Sequence, residues 1–177
     1  MNKIQKAVFF AVKRHRKQLR KGSGIPYIVH PLGVMKYLME HNASENAIIA
    51  GVLHDTLEDT KTTYLGLRIR FGKKVADIVK FCSENKDVKD WKARKQGTIN
   101  KLIWCNDKDC LDVALADKLN NLTDIYNEHN RKGFWNRFNM DYKSQKWYYG
   151  ELGKVIKKKQ PEMSVLYDYM YKKVFNK

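Results

Sequence analysis

The sequence is poor in residues that break or cross-link a chain, with three prolines, ten glycines and three cysteines among 177 residues. Cys82, Cys105 and Cys110 form no CxxC pair, and their odd number gives no complete set of bridges, so a disulfide framework is not expected. Reduced thiols suit a cytoplasm. No run of about 18 apolar residues is present to cross a membrane. Met1 to Val12 carries polar residues where a signal peptide needs an unbroken apolar stretch. A cytoplasmic protein with no membrane partner is the expectation. Acidic residues are also scarce, 19 Asp and Glu against 35 Lys and Arg, for a formal charge of +16. A field of that sign attracts polyanions and repels cations, which admits nucleotides, nucleic acid and anionic lipid. The plainer reading is a solvated lysine-rich surface, since Lys157, Lys158, Lys159, Lys172, Lys173 and Lys177 are scattered near the C-terminus.

Hydrophobic residues make up 43% of the chain and charged residues 31%, the proportions of a globular protein with a core of its own. The length suits a single domain over residues 1–177. Apolar residues recur mostly at three and four positions, so the fold class is all-α. The first helix is expected over Lys3 to Leu19, with Ile4, Ala7, Val8, Ala11 and Val12 on one face, ending at the Lys21-Gly-Ser-Gly24 loop. Pro31 fits the first turn of a second helix running to about Glu40, where its missing N–H costs nothing. Ser44 is a good N-cap for a third helix, through Ile48, Ile49 and Val52 to His54 and Asp55. Further helices are expected near Thr63 to Phe71 ending at Gly72, around Val75 to Phe81, and over Asp90 to Cys105, Cys110 to Tyr126 and Phe134 to Lys159. Pro161 sets off a last helix, Glu162 to Phe175.

The segment Gly51-Val-Leu-His-Asp-Thr-Leu-Glu-Asp-Thr60 puts four ionisable side chains at the end of an apolar helix, where something must compensate their burial. His54 and Asp55 supply an imidazole nitrogen and a carboxylate oxygen, ligands suited to divalent Mn, Zn or Mg. Glu58 and Asp59 follow four residues later, about one turn along if helical geometry persists. From there they can hold or deprotonate a water whose pKa a cation has lowered. A chance His-Asp pair at an exposed acidic helix end is the competing reading. His30, in Pro26-Tyr-Ile-Val-His-Pro31, stands just before a helix start and can supply a second imidazole. Asp117 follows Ala114, Leu115 and Ala116, which argues for an inward face, and a buried carboxylate needs a partner that a cation would provide.

In order along the chain, Lys13-Arg-His-Arg-Lys-Gln-Leu-Arg-Lys21, Pro26-Tyr-Ile-Val-His-Pro31, Leu53-His-Asp-Thr-Leu-Glu-Asp-Thr60, Phe71-Gly72 and Ala116-Asp-Lys-Leu-Asn-Asn-Leu122 resemble the hydrolase domain of the RelA/SpoT family. The resemblance implies an HD-type helical bundle in which a single Mn²⁺ supports hydrolysis of the 3′-pyrophosphate of the alarmone (p)ppGpp, giving GDP or GTP and pyrophosphate. By position it makes His30, His54, Asp55 and Asp117 the metal ligands and Glu58 with Asp59 the pair that positions or activates water. It sets Asn121 near the ribose and phosphates, and Arg20 and Lys21 beside the base and phosphates. The residue chemistry agrees, because Arg both stacks and forks onto phosphate while Lys acts as a point charge. Trp91, Lys92, Arg94 and Lys95 form a second basic group, expected at the phosphate end of the pocket. Arg137, Asn139 and Tyr148 are further candidates for ligand contact, against the alternative that aromatic residues at helical spacing are core.

Two departures concern the substrate. Thr123 stands where many members of the family have Arg, and Asn120 where they have His or Tyr. The partner expected is a small nucleotide, with (p)ppGpp leading and another phosphorylated nucleotide such as NADPH as the alternative. A basic nucleic-acid-binding protein is the reading from a different class. It leaves the spacing of His30, His54-Asp55 and Asp117 unexplained. No oligomeric state follows from the sequence.

Overall fold

The computed structural model of the chain describes residues 1–21 and 23–175, so Gly22 of the expected loop and Lys177 of the C-terminal lysines lie outside the described residues. The described residues are mostly helical, and their one bridge of the β type joins Leu19 and Pro26. The chain forms two compact units, one of residues 1–84 and 106–117, the other of residues 85–105 and 118–177.

The first unit holds α1 (Lys3–His15), α2 (Val29–Glu40), α3 (Glu45–Leu53), α4 (Thr56–Asp59), α5 (Tyr64–Phe71), α6 (Lys73–Cys82) and the first part of α8 (Lys108–Glu128). A reciprocal cap starts α1: Asn2 accepts from the Gln5 N–H at 2.8 Å, and Gln5 Oε1 accepts from the Asn2 N–H at 2.9 Å. The helix stops at His15 rather than Leu19, because the chain from Gln18 folds back on itself. The Tyr27 N–H donates to the Gln18 carbonyl and the Arg20 N–H to the Ile25 carbonyl, both at 2.9 Å. Ser44 caps α3 as its sequence suggests, accepting from the Ala47 N–H at 3.1 Å. Gly72 ends α5 at φ 93°, a conformation few other residues adopt.

The centre of this unit is α3, which packs against α1, α2 and α6. Ala47, Ile49, Ala50, Val52 and Leu53 are all at least 98% buried. Burying a side chain the size of Val, Leu or Ile contributes roughly 1.5–3 kcal/mol, so α3 is well anchored before any polar contact is made. It does not run on through Asp55. Leu53 is its last residue, Asp55 takes φ −90° and ψ −8°, and α4 is a separate turn closed by the Asp59 N–H donating to the Asp55 carbonyl at 2.8 Å. That break lets His54 and Asp55 point in directions one continuous helix would not allow.

The second unit contains α7 (Trp91–Trp104), the rest of α8, α9 (Tyr142–Lys159) and α10 (Pro161–Phe175). The expected single helix from Phe134 is two elements: a 3₁₀ turn at Phe134–Arg137 and then α9. Gly133 at φ 74° opens the turn, and Asp141 starts α9 anew by accepting from the Ser144 N–H at 2.8 Å. Helix α9 packs against both α7 and α10, and Tyr167 of α10 donates from its buried hydroxyl to the Tyr149 carbonyl at 2.8 Å.

At Gly51, α3 lies against Val34 and Leu38 of α2 with no room for a side chain. A β-carbon there would overlap Leu38 Cδ1 and stand 3.3 Å from Val34 Cγ1. Gly51→Val is therefore expected to lower unfolding stability by about 1–3 kcal/mol through overpacking. Gly51→Ala should cost less, because its better helix propensity offsets the smaller clash. Urea unfolding of the two variants measures the difference, and equal effects would contradict this packing.

Candidate metal centre

The end of α3 supplies the first imidazole. His54 is 2% exposed, and its Nδ1–H donates to the Gly51 carbonyl at 2.8 Å, which turns Nε2 away from the helix. Fixing one ring nitrogen on a backbone acceptor is how a protein orients the other toward a cation. His30 lies in the first turn of α2, one residue inside the helix rather than before it, and is 3% exposed. Its Nε2 stands 3.2 Å from His54 Nε2. From α8, Asp117 brings Oδ1 to 3.2 Å from His30 Nε2 and 3.6 Å from His54 Nε2. Asp55 Oδ2 lies 2.9 Å from His54 Nε2 and 3.5 Å from His30 Nε2.

These separations suit one small cation. Bonds of about 2.0–2.2 Å put two ligand atoms about 3.0 Å apart at a right angle and about 3.4 Å apart at the tetrahedral angle. The nitrogen–nitrogen separation and the four nitrogen–oxygen separations run from 2.9 to 3.6 Å. Two imidazole nitrogens and two carboxylate oxygens form a donor set for borderline or hard divalent metals. A site able to hold such an ion is therefore present, and His30, His54 and Asp117, all buried, have ligand atoms within 4.8 Å of one another.

Charge balance sets the protonation states. Burial alone would lower the His54 pKa, but the Asp55 charge and hydrogen bonding to Asp117 and Asp55 raise it well above its ordinary value. Burial alone would raise Asp55, whereas the charge and hydrogen bond of His54, with His30 behind them, pull it below the usual carboxylate range. Asp55 also accepts from the Tyr27 hydroxyl at 2.5 Å. Tyr27 titrates far above its ordinary value, through burial first and then the Asp55 charge.

The two other carboxylates are each held by a separate group. Glu58 Oε2 accepts from the Glu84 N–H at 3.0 Å, and Asp59 Oδ2 from the Gln18 side-chain amide at 3.0 Å. The Arg20 guanidinium lies 5.6 Å from the centre of the Tyr27 ring, and Lys21 is exposed on the turn that follows. This first unit thus brings together His30, His54, Asp55 and Asp117, and ties Arg20 to them through Tyr27.

The remaining predicted contacts, Asn121, Lys92, Arg94 and Tyr148, belong to the second unit. There the Arg94 guanidinium donates to the Val88 carbonyl at 3.1 Å, Lys92 lies 5.4 Å over the Trp147 ring, and Tyr148 is 4% exposed with its ring against Trp91. Asn121 is half-buried on α8, and the nearby Thr123 hydroxyl donates to the Leu119 carbonyl at 2.9 Å. Arg137 pairs with Glu128 and lies 3.8 Å over the Phe134 ring, so it is part of the aromatic packing of that unit. Tyr27, Gln18 and His15 were not singled out from the sequence. All three lie in the basic and Pro-Tyr segments quoted above, but no spacing rule marks them: His15 ends α1, and the turn that follows brings Gln18 and Tyr27 to the carboxylates.

The model of the HD domain matches residues 7–136. A guanosine-3′,5′-bis(diphosphate) 3′-pyrophosphohydrolase of Aquifex aeolicus is 39% identical over 133 residues, 73% of this chain but 19% of that protein, so the chain spans about a fifth of its length. The guanosine-3′,5′-bis(diphosphate) 3′-pyrophosphohydrolase MESH1 of Xenopus tropicalis is 39% identical over 125 residues, covering 69% of each chain. Among solved structures, a Listeria monocytogenes protein superposes with a TM-score of 0.75 at 33% identity, over 86% of this chain and 97% of the other. A metazoan orthologue of SpoT, described as hydrolysing ppGpp, superposes with a TM-score of 0.81 over 97% and 95%, and at 22% identity this likeness concerns the fold. With a match over most of its length and a buried His-His-Asp cluster between its helices, the chain belongs to the HD-domain family.

Proposed function

We propose that this protein is a Mn²⁺-dependent 3′-pyrophosphohydrolase of (p)ppGpp, with His30, His54, Asp55 and Asp117 as the metal ligands. The observation that carries the reading is a pair of imidazole nitrogens 3.2 Å apart with an oxygen of Asp55 and one of Asp117 each 2.9 to 3.6 Å from both, and two further carboxylates on the adjoining turn. Relatives at 39% identity whose names specify that activity support the substrate. A bound divalent cation would polarise a phosphoryl oxygen and acidify a water. Glu58 and Asp59 orient that water and accept its proton. Its oxygen bonds to the phosphorus on O3′, the P–O3′ bond breaks, and O3′ takes up a proton, leaving GDP or GTP and pyrophosphate. Arg20 and Lys21 receive the base and phosphates, and Asn121, Lys92, Arg94 and Tyr148 are the remaining proposed substrate contacts. A nucleotide-processing enzyme of this kind works in the cytoplasm, with a small molecule as its partner.

The ligands and the water-side carboxylates are distinguishable. Asp55→Ala is expected to lose bound metal and pyrophosphate release together. Glu58→Ala should retain metal, measured by elemental analysis, while turnover falls by about 10²-fold or more, the usual size of a general-base contribution. A fully active Glu58→Ala would remove Glu58 from the reaction. Incubation with ppGpp, NADPH and common nucleotides, followed by identification of the released phosphate or pyrophosphate, tests the substrate itself. No metal-dependent release from any of them would refute the enzymatic reading.

The pH response follows from His54 and Asp55. His54 has a folded pKa above its ordinary 6.5, so in metal-free protein its stabilising contribution is complete below that value and is lost as pH rises through the raised one. Asp55 has a folded pKa below its ordinary 3.8, so its contribution is complete above that value and is lost only in stronger acid. Metal-free protein should therefore unfold at its highest temperature in mildly acidic buffer and at a lower one in alkali. His54 gives up its proton when it binds a cation, so affinity for Mn²⁺ changes in the opposite direction and falls with acid. Calorimetry in buffers of different ionisation enthalpy should report about one proton released per ion near neutral pH. Zero release would show that His54 is already neutral before the ion binds, contrary to the raised pKa.

A further inference from the structure

Helix α1 ends on a buried histidine that none of the roles above uses. His15 is 2% exposed, its Nδ1 lies 2.7 Å from Gln18 Oε1, and its buried Nε2 has no hydrogen-bond partner. Gln18 donates in turn from Nε2 to Asp59 Oδ2 at 3.0 Å. The His15 ring packs against Tyr27 with centroids 5.0 Å apart. An ionised carboxylate can only accept, so the amide nitrogen of Gln18 faces Asp59 and its oxygen faces His15. With that oxygen as acceptor, a neutral His15 carries its proton on Nδ1 and leaves Nε2 as a bare lone pair. The polarity therefore runs one way, from His15 Nδ1–H to Gln18 Oε1 and from Gln18 Nε2–H to the Asp59 carboxylate. An apolar ring would fill the same space without leaving a buried nitrogen unsatisfied, which is costly inside a protein.

We propose that His15 and Gln18 are positioning residues for Asp59, a hydrogen-bonded relay that fixes the rotamer of that carboxylate for its part in the reaction. The proposal rests on the reading of Asp59 as a water-side carboxylate. Asp59 sits exposed at the end of the four-residue α4, where packing restrains a side chain little. The relay joins it to the end of α1, which is anchored through the fully buried Ala7 and Ala11. Displacement of a reacting group by about 1 Å can cost about 10²-fold in rate, so such a restraint has a kinetic consequence. Gln18 acts through Asp59, and His15 acts through Gln18.

Substitutions at His15 separate hydrogen bonding from packing. His15→Asn keeps an N–H donor near the place of Nδ1 and removes the ring, whereas His15→Phe keeps the ring against Tyr27 and removes the donor. With Mn²⁺-loaded protein and ppGpp, Gln18→Leu and His15→Phe are expected to lower kcat about tenfold or more, with KM and the Kd for Mn²⁺ within about twofold of the unmodified protein. His15→Asn should recover most of the lost kcat. The opposite order, with Phe active and Asn impaired, overturns the relay, as does a loss confined to KM or to Mn²⁺ affinity. Gln18 is half-buried on a turn, so Gln18→Leu decides the matter if changes at buried His15 unfold the chain. Nitrogen NMR of histidine-labelled protein adds a readout that needs no substrate. His15 should be the Nδ1–H tautomer, and Asp59→Ala, which removes the acceptor that orients Gln18, should turn it into a mixture. An Nε2–H tautomer in the unmodified protein, or no change in Asp59→Ala, overturns the relay. Intact ppGpp after incubation would defeat the proposed substrate instead, and the tautomer would still decide the relay.

Discussion

Ionisable groups gathered inside an apolar unit stay there only if each is compensated, and that condition governs the arrangement around His30, His54 and Asp117. Taking a charge out of water costs several kcal/mol even after relaxation, so these three side chains are tolerable only as a mutually neutralising set. The backbone is shaped accordingly. Helix α3 is buried almost throughout, ends at Leu53, and hands its last carbonyls to side chains: Gly51 to the His54 imidazole and Leu53 to the Thr56 hydroxyl at 2.7 Å. A continuous helix would have used those carbonyls for its own ladder and left His54 without an orienting acceptor. Breaking the helix at His54 and Asp55 therefore satisfies the backbone and aims the ligands together.

Restraint also comes from the turn between α1 and α2. Tyr27, beside Pro26, donates to Asp55, and Gln18, at the other strand of the turn, donates to Asp59. The same ten-residue segment carries Arg20 and Lys21. One local fold thus sets the positions of a proposed ligand, a proposed water-side carboxylate and the cations proposed to receive the substrate. A change to the turn would disturb all three together, which distinguishes it from a change to any single ligand.

Much of this was legible in the sequence, for identifiable reasons. The start of helix α3 at its Ser44 cap and the stop of α5 at Gly72 follow from local chemistry, and the structure has them where the pattern puts them, whereas α3 ends at Leu53, short of the His54 and Asp55 the pattern reaches. Asp117 could be read as inward because Ala114, Leu115 and Ala116 precede it, and all four residues are buried. The early end of α1 was not legible: Arg16, Lys17 and Gln18 are acceptable helix residues, and what ends the helix is pairing with residues nine or so positions later. The split after Phe134 was missed for a related reason. Aromatic residues at helical spacing gave a continuous pattern, while Gly133 and Asp141 interrupt the backbone with a left-handed residue and a new cap. Tyr27 and Gln18 were overlooked because a hydrogen bond across 28 or 41 residues has no counterpart in local spacing.

The charge of the site bears on how a polyanion would reach it. On the proposed reading a divalent cation is neutralised by Asp55 and Asp117, and Glu58 and Asp59 then add two negative charges where phosphate must arrive. Such a site repels its own substrate unless cations stand nearby. Arg20 and Lys21 offset those two charges one for one, and the remaining excess, with a formal total of +16, biases the field around the protein toward anions. Exposed lysines act over about 10 Å at moderate salt, so their part is in the approach of substrate. On the same reading Arg20, 5.6 Å from the centre of the Tyr27 ring, would act at contact. Arg20 lies over Tyr27, and Tyr27 donates to Asp55, so the proposed grip on substrate and the proposed grip on metal share one side chain.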